Sequence, residues 1–259
     1  MTPLIRRGLT AEASARPGES LDISAIARSA ARRRLIAFGA IGIAAYAVAM
    51  IATIPAGTIF PNRPWRTGVA GTIWNGEVGV GGTNRMAWRW APLRSLVGLG
   101  FAADWTVKGA DTLLNGRATA RPGRTAIDTV SGSADASLLQ VLQPTLPFTC
   151  DLTIQADFPR IVVGGSDQSV TGQLTTDAGS CRPRTPGSPA TTLPPLMLSA
   201  EHIGAESRMR LFPATQRRRT LMTIVLGEDG STEIGMTPEG AAALPFVGLP
   251  GGASIKSEM

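Results

Sequence analysis

The chain has 259 residues and a net charge of +6, with 17% charged residues, 30 Gly and 19 Pro. It is poor in Glu and Lys and rich in Thr, Val, Gly and Ser, a composition that favours β structure with many turns. Residues 1–34 hold seven Arg against three acidic residues, so the remaining 225 residues carry a net charge of only +2. This excludes the evenly basic body of a nucleic-acid-binding protein, and we expect no nucleic acid among the partners.

The first predicted element is a transmembrane helix. From Leu35 to Ile54 the chain has 20 residues without a charge, and a helix of that length is roughly 30 Å long, the thickness of a hydrocarbon core. A cleaved signal peptide is the alternative. Its apolar core would be longer than the usual 7–15 residues, and Ile54-Pro55-Ala56 is a poor cleavage site. We therefore favour an uncleaved anchor over 35–54.

The arginines beside this helix predict its orientation. Arg32, Arg33 and Arg34 precede the apolar run, and cytoplasmic flanks of membrane helices are enriched in Lys and Arg. The prediction is a cytoplasmic basic tail over residues 1–34, a single span, and a domain over 57–259 on the other side of the membrane.

The domain after the helix is predicted to be mainly β. Apolar and polar residues alternate in Met86–Trp90, Phe101–Lys108 and Cys150–Phe158, as in strands with one buried face. Further strands are predicted near 126–131, 160–163, 169–175, 207–212, 220–226 and 231–236. Turn dipeptides punctuate the runs at Asn75-Gly76, Gly81-Gly82, Asn115-Gly116, Gly164-Gly165 and Asp229-Gly230.

Helix signals are sparse in this domain. A short helix is predicted after Asp135, ended by Pro144, and another turn or two after Thr237. Five prolines in 182–195 predict an extended linker or surface loop that divides the domain into two β segments. The end of the chain, 250–259, is expected to be frayed.

These signals together predict the fold class. A single layer of hairpins leaves one apolar face that must fold over on itself or be covered. We expect one long antiparallel sheet bent into a half-barrel with one or two short helices. A closed sandwich is the alternative.

The two cysteines are predicted to form a disulfide. Cys150 and Cys181 both follow the apolar helix, and a lone pair in an oxidising compartment usually pairs. The bond would close a loop of about 30 residues and stabilise the domain by about 3 kcal/mol. Two buried free thiols are the alternative.

The sequence offers little catalytic chemistry. His202 is the single histidine, and its neighbours Ser199 and Glu201 form no nucleophile motif, so a structural role is favoured. No nucleotide-binding or metal-binding motif occurs. The arginines 217–219 are expected in a solvated strand edge or turn, with contact to anionic lipid or an acidic partner as the alternative. We expect no enzymatic activity, no metal and no cofactor.

All five tryptophans lie between Trp65 and Trp105. This region contains Val-Ala-Gly-Thr-Ile-Trp-Asn-Gly-Glu-Val at 69–78 and Met-Ala-Trp-Arg-Trp-Ala-Pro-Leu at 86–93. After a single anchor helix, these two motifs resemble the type II secretion system protein N family. The resemblance is sharp over about 68–96 and loose from there to about 235. The motif residues, for which a core role is expected, are Gly71, Thr72, Trp74, Gly76, Glu77, Trp88, Trp90, Pro92, Leu93 and Trp105.

The resemblance implies a fold and a function. It implies an inner-membrane protein with a periplasmic domain, which contacts other secretion components during export of folded proteins across the Gram-negative outer membrane. The fold of that family is similar to AsmA-type exported domains, some of which bind lipid. A lipid-binding or lipid-transfer module is therefore the alternative function.

The tryptophans themselves have two interpretations. Trp74, Trp88, Trp90 and Trp105 fill the core of the first hairpins, or some of them lie at the membrane interface or line a lipid-facing groove. Trp65 is the candidate for an interfacial anchor. The glycines around them are expected to give the large indoles space to pack across strands.

Overall fold

The computed structural model describes residues 23–58, 66–81 and 83–257 and is mainly β. The chain divides after Ala52 into two compact units. In the described residues the first unit is one helix, and the second unit contains all the strands.

Helix α1 (Ile23–Ala52) contains the predicted apolar segment from Leu35 to Ala52 and ends two residues before the predicted end at Ile54. Its part from Arg32 to Ala52 is long and apolar enough to cross a membrane, and its side chains are exposed. A signal sequence near the N-terminus can also be long and apolar enough to meet this criterion. The helix begins before the apolar run because the residues between Ile23 and Arg34 include many Ala and Arg, which are good helix formers.

Thirteen strands form one antiparallel sheet. The first eight of its strands are β1 (Arg66–Gly71), β2 (Asn75–Val80), β3 (Arg85–Trp90), β4 (Phe101–Lys108), β5 (Leu113–Arg121), β6 (Arg124–Asp135), β8 (Thr153–Val163) and β9 (Ser169–Thr176). The other five are β12 (Leu196–Ile203), β13 (Glu206–Pro213), β14 (Met222–Gly227), β15 (Thr232–Met236) and β16 (Ser254–Ser257). They lie in the order β1-β2-β3-β4-β5-β6-β8-β9-β12-β13-β14-β15-β16.

The predicted class, a long antiparallel sheet, is confirmed at this coarse level. Among the described residues β1 and β16 lie at the two ends of the strand order, so the sheet is not a closed barrel. The half-barrel bend stays a prediction.

A second sheet of three strands contains the disulfide. Its strands are β7 (Phe148–Asp151), β10 (Gly179–Pro183) and β11 (Thr191–Leu193), and they lie in the order β11-β10-β7. Cys150 and Cys181 face each other across β7 and β10 and form the predicted bond.

The Pro-rich segment 182–195 does not divide the domain. It contains the end of β10 and all of β11, and it leaves the large sheet uninterrupted because β9 pairs directly with β12. The prediction of two β segments was wrong. The prolines end the short strand β10 and start the return toward β12, instead of forming a linker.

In the described part of the domain there are three short α-helices, where one or two were expected: α2 (Pro92–Gly98), α3 (Ser137–Leu142) and α4 (Pro238–Ala243). The predicted helices after Asp135 and Thr237 correspond to α3 and α4. Thr237 caps α4 as expected, since its side chain accepts a hydrogen bond from Gly240 N. Helix α2 was not predicted, because the alternation that ends at Trp90 gave no sign of it.

Several local predictions differ from the structure. The predicted strand Cys150–Phe158 is two strands, β7 and β8, separated at Leu152. Asn115-Gly116 lies inside β5 and not in a turn, whereas Asn75-Gly76 starts β2 at the end of the turn that follows β1. The chain end that was expected to be frayed forms β16, which pairs with β15.

The larger of two buried apolar clusters in the described residues lies at the small sheet. We call it the disulfide core, and its buried members are Cys181, Leu193, Leu196, Leu221, Leu244 and Phe246. Phe148 and Phe246 pack edge to face with ring centroids 5.0 Å apart. A second cluster joins Val78 and Val80 of β2 to Ala134 and to Leu138 of α3.

Candidate functional site

An apolar pocket lies on strands β2 to β5, beside the tryptophans. Its volume is about 300 Å³, at the lower end of the range for small-molecule sites. We call it the tryptophan pocket. Its described lining residues are Arg66, Val78, Val80, Met86, Trp88, Phe101, Ala103, Trp105, Ala118 and Ala120.

The pocket follows from the alternation of residues along neighbouring strands. Side chains two apart on a strand share a face, so Phe101, Ala103 and Trp105 of β4 lie on one face. The register places Trp105 opposite Trp88 and Ala103 opposite Ala118. Large side chains form the walls, and the three alanines leave the space between them.

Two glycines let the indoles lie across the neighbouring strand. A Cβ on Gly76 would stand 2.4 Å from the Trp88 ring, and a Cβ on Gly116 would stand 2.6 Å from the Trp105 ring. Each tryptophan pairs directly with its glycine across the strands. This confirms that glycines give the indoles space, and it explains why Asn115-Gly116 lies within a strand.

Hydrogen bonds fix the orientation of two indoles. Trp88 Nε1 donates to Ile73 O at 3.0 Å, and Trp90 Nε1 donates to Ser95 Oγ at 2.8 Å. The ring of Trp74 packs on that of Trp90 with centroids 4.7 Å apart. Trp88, which lines the pocket, is therefore held in place, and Trp74 and Trp90 form a packed pair outside the lining.

The turn between β1 and β2 positions this group. Gly71 has φ +86°, a conformation that favours glycine. Thr72 Oγ1 accepts a hydrogen bond from Asn75 N at 3.2 Å, which closes the turn. Ile73 then presents its carbonyl to Trp88, so the motif residues at 71–76 support the tryptophans of β3.

The predicted motif residues do not all lie in a core. Trp74, Trp88, Trp90 and Trp105 are half-buried, and two of them line the open pocket; they do not fill a closed core. Four other motif residues are exposed: Gly71, Glu77, Pro92 and Leu93. Glu77 points away from the pocket and lies 3.9 Å from Arg85 in an ion pair. Trp65, the candidate interfacial anchor, lies outside the described residues.

His202 has a partner that the sequence did not reveal. Its Nδ1 lies 3.1 Å from Ser207 Oγ, and that oxygen also accepts a hydrogen bond from Val170 N at 2.9 Å. Ser207 is fully buried, so no substrate reaches its hydroxyl. The pair links β12, β13 and β9, which fits the structural role expected for His202.

Two further polar features lie outside the pocket-lining strands. Arg217, Arg218 and Arg219 lie in the exposed turn between β13 and β14, as expected, beside an open depression of about 1180 Å³. Arg219 pairs with Glu239 at 2.8 Å.

In the turn between β14 and β15, hydrogen bonds from the Ser231 hydroxyl and N–H hold the pKa of Asp229 below its ordinary value.

Sequence reasoning missed the parts of the site that depend on register. The small side chains at Ala103, Ala118 and Ala120 give no signal until β4 and β5 are aligned. Among the described residues, no group of three or more His, Cys, Asp or Glu side chains could hold a metal ion.

No family model matches the chain, and neither does any curated protein or solved structure.

Proposed function

We propose that this protein is a non-enzymatic inner-membrane component of the type II secretion pathway. The observation that carries the proposal is the arrangement of the two motifs that resemble the protein N family. They form one packed unit, in which Trp88 bonds to Ile73 and Trp74 packs on Trp90. This unit follows the apolar helix along the chain, in the order on which the resemblance rests.

The disulfide supports an exported location for residues 57–259. The bond between Cys150 and Cys181 is stable in an oxidising compartment such as the periplasm and is rare in the cytosol. Arg32, Arg33 and Arg34 supply the matching topology, with the N-terminus in the cytoplasm. In this proposal the β domain docks other secretion components in the periplasm.

The chemistry of the pocket favours binding over catalysis. General acid–base catalysis needs a titratable side chain within hydrogen-bond reach of the reacting atoms. The walls of the tryptophan pocket are aliphatic and aromatic, and among the described lining residues Arg66 alone is charged. Such a surface binds apolar groups.

Deletion of the gene tests the secretion role. We expect exoproteins to accumulate in the periplasm while the outer membrane stays intact, and a plasmid copy of the gene to restore their release. Normal secretion by the deletion strain would refute the proposal. A C-terminal alkaline phosphatase fusion checks the topology, since an expressed but inactive fusion would reverse it.

Lipid handling is the second candidate function. The observation that favours it is the open apolar pocket of about 300 Å³, which has the size and lining for part of an acyl chain. A half-barrel of the AsmA type would present such a face along its length. The apolar face at the disulfide core is filled by side chains. The space for a bound lipid therefore lies in the tryptophan pocket on strands β2 to β5.

A matched pair of variants tests lipid binding. Ala118→Phe places a large ring in the pocket, whereas Ala87→Phe places the same ring on the exposed opposite face of β3. The full-length protein is purified in detergent, and co-purified lipid is measured by native mass spectrometry. Loss of bound lipid in the first variant alone supports a lipid-binding pocket. Equal lipid in both variants and the wild type contradicts it.

A further inference from the structure

Helix α2 presents an apolar surface to solvent. Leu93, Leu96, Val97 and Leu99 are 78%, 73%, 88% and 85% exposed. Leu93, Leu96 and Val97 share one helix face because residues three and four apart are neighbours, and Leu99 follows at the end of the helix. We call these four residues the α2 patch. Large apolar side chains clustered in this way mark an interaction surface.

The helix is held so that this face points outward. Ser95 lies on its other side, where its hydroxyl accepts hydrogen bonds from Trp90 Nε1 at 2.8 Å and from Ala102 N at 2.9 Å. At the end of the helix, Arg121 Nε donates to Gly98 O at 2.6 Å. These bonds attach α2 to β3, β4 and β5, so the α2 patch cannot turn inward without breaking them.

The patch lies at one end of strands β1 to β4, which we call the entry edge, because the chain enters the domain there from α1. Only Thr53 separates Ala52, the last residue of α1, from Ile54. Ile54 O accepts a hydrogen bond from Ile73 N at 3.1 Å, and Trp74 O accepts one from Trp90 N at 2.6 Å. Helix α2 begins two residues after Trp90 and therefore lies at this entry edge, near Ile54.

We propose that the α2 patch inserts into the surface of the bilayer that holds α1. Two residues of extended chain span no more than about 7 Å, so an anchor that ends near the bilayer surface brings this edge to the lipid. The four apolar side chains enter the boundary between headgroups and acyl chains, as on interfacial helices. Arg121, exposed beside the helix end, complements the lipid phosphates.

This inference rests on the membrane anchorage proposed above and is independent of the secretion role. It has a consequence for the tryptophan pocket. Phe101, which lines the pocket, follows the α2 patch by two residues. A patch seated in lipid therefore places the pocket beside the bilayer, where apolar molecules enter it without crossing water.

Site-directed spin labels on the full-length protein in lipid nanodiscs test the inference. Three single-cysteine substitutions are labelled separately: Ala45→Cys within α1, Val97→Cys in the patch, and Ala110→Cys in the exposed turn between β4 and β5. Ala110 lies at the opposite end of these strands. Power saturation compares the access of oxygen, which partitions into lipid, with that of a water-soluble nickel complex.

We expect oxygen access to exceed nickel access at Ala45 and Val97, and the reverse at Ala110. Nickel access that exceeds oxygen access at Val97, with a lipid signal at Ala45, would overturn the insertion and leave the anchorage standing. A Val97 label shielded from both reagents would assign the patch to a second copy of the chain and would also overturn it. An aqueous signal at Ala45 would refute the anchorage and the inference together.

Discussion

The disulfide core and the tryptophan pocket both include side chains of the large sheet and differ in what covers them. At the core, the small sheet and the segment after α4 bring Phe148, Leu244 and Phe246 onto the strands, and the apolar face is buried. At the pocket, Ala103, Ala118 and Ala120 leave space between the larger side chains, and none of the described residues fills that space. Alternation of apolar and polar residues is common to both regions, so side-chain size and a covering element decide whether a face is filled or open.

Removing the side chain of Phe246 should have the largest effect on stability. Phe246 is buried and packs on Phe148, and a Phe→Ala change in a core lowers the free energy of unfolding by about 3–5 kcal/mol. We expect this loss in denaturant unfolding of the full-length protein in micelles, followed by circular dichroism. Phe246→Leu, which keeps an apolar side chain, should lose clearly less. If Phe246→Ala and Phe246→Leu lowered the free energy of unfolding equally, the space around Phe246 would not be tightly filled.

Loss of the disulfide should be nearly as large. Cys150 and Cys181 are separated by 31 residues, and a cross-link of that length stabilises by about 3 kcal/mol. The double variant Cys150→Ala, Cys181→Ala should unfold at lower denaturant concentration than the oxidised wild type. Alkylation without reductant should label neither cysteine in the wild-type protein; labelling of both would contradict the bond.

Trp88→Ala should be milder than a core substitution. Trp88 keeps part of its ring exposed, and its removal enlarges an open pocket instead of leaving an enclosed cavity. The buried part of the ring and the Nε1 bond to Ile73 together amount to about 3 kcal/mol. Trp88→Phe keeps the ring but not the donor and should recover part of this loss. A loss for Trp88→Ala as large as that of Phe246→Ala would make this region a core and not a pocket.

Val97→Asp should have the smallest effect on folding. Its side chain is exposed, and surface substitutions usually change the free energy of unfolding by less than about 0.5 kcal/mol. In nanodiscs the same variant should reduce the lipid contact of the α2 patch. A large loss of stability in micelles would mean that Val97 supports the domain internally.

Much of the fold was predictable from short-range patterns. Strict alternation gave β4 with its observed bounds, and Thr237 followed by Pro238 gave the capped start of α4. These signals lie within one element and depend only on side-chain period and backbone capping. The disulfide followed from the presence of only two cysteines.

The rest depends on contacts between strands. Asn-Gly dipeptides favour turns, but at Asn115-Gly116 the ring of Trp105 needs the space above the glycine, and the pair stays in β5. Helix α2 has seven residues, too few to show a periodic pattern, and it is fixed by Ser95 to an indole five residues earlier. The pocket appears only when the alanines of β4 and β5 are in register.

The strand order of the large sheet bears on how the domain folds. Its neighbouring strands are also consecutive along the chain, except at β6–β8 and β9–β12. Pairings between segments close in sequence require little loop-closure entropy, and low contact order speeds folding. During synthesis the N-terminal strands leave the ribosome first, and each new strand can then pair with the one made before it. Two pairings must wait longer: β7 pairs with β10 after β8 and β9 have been made, and β9 pairs with β12 after β10 and β11 have been made.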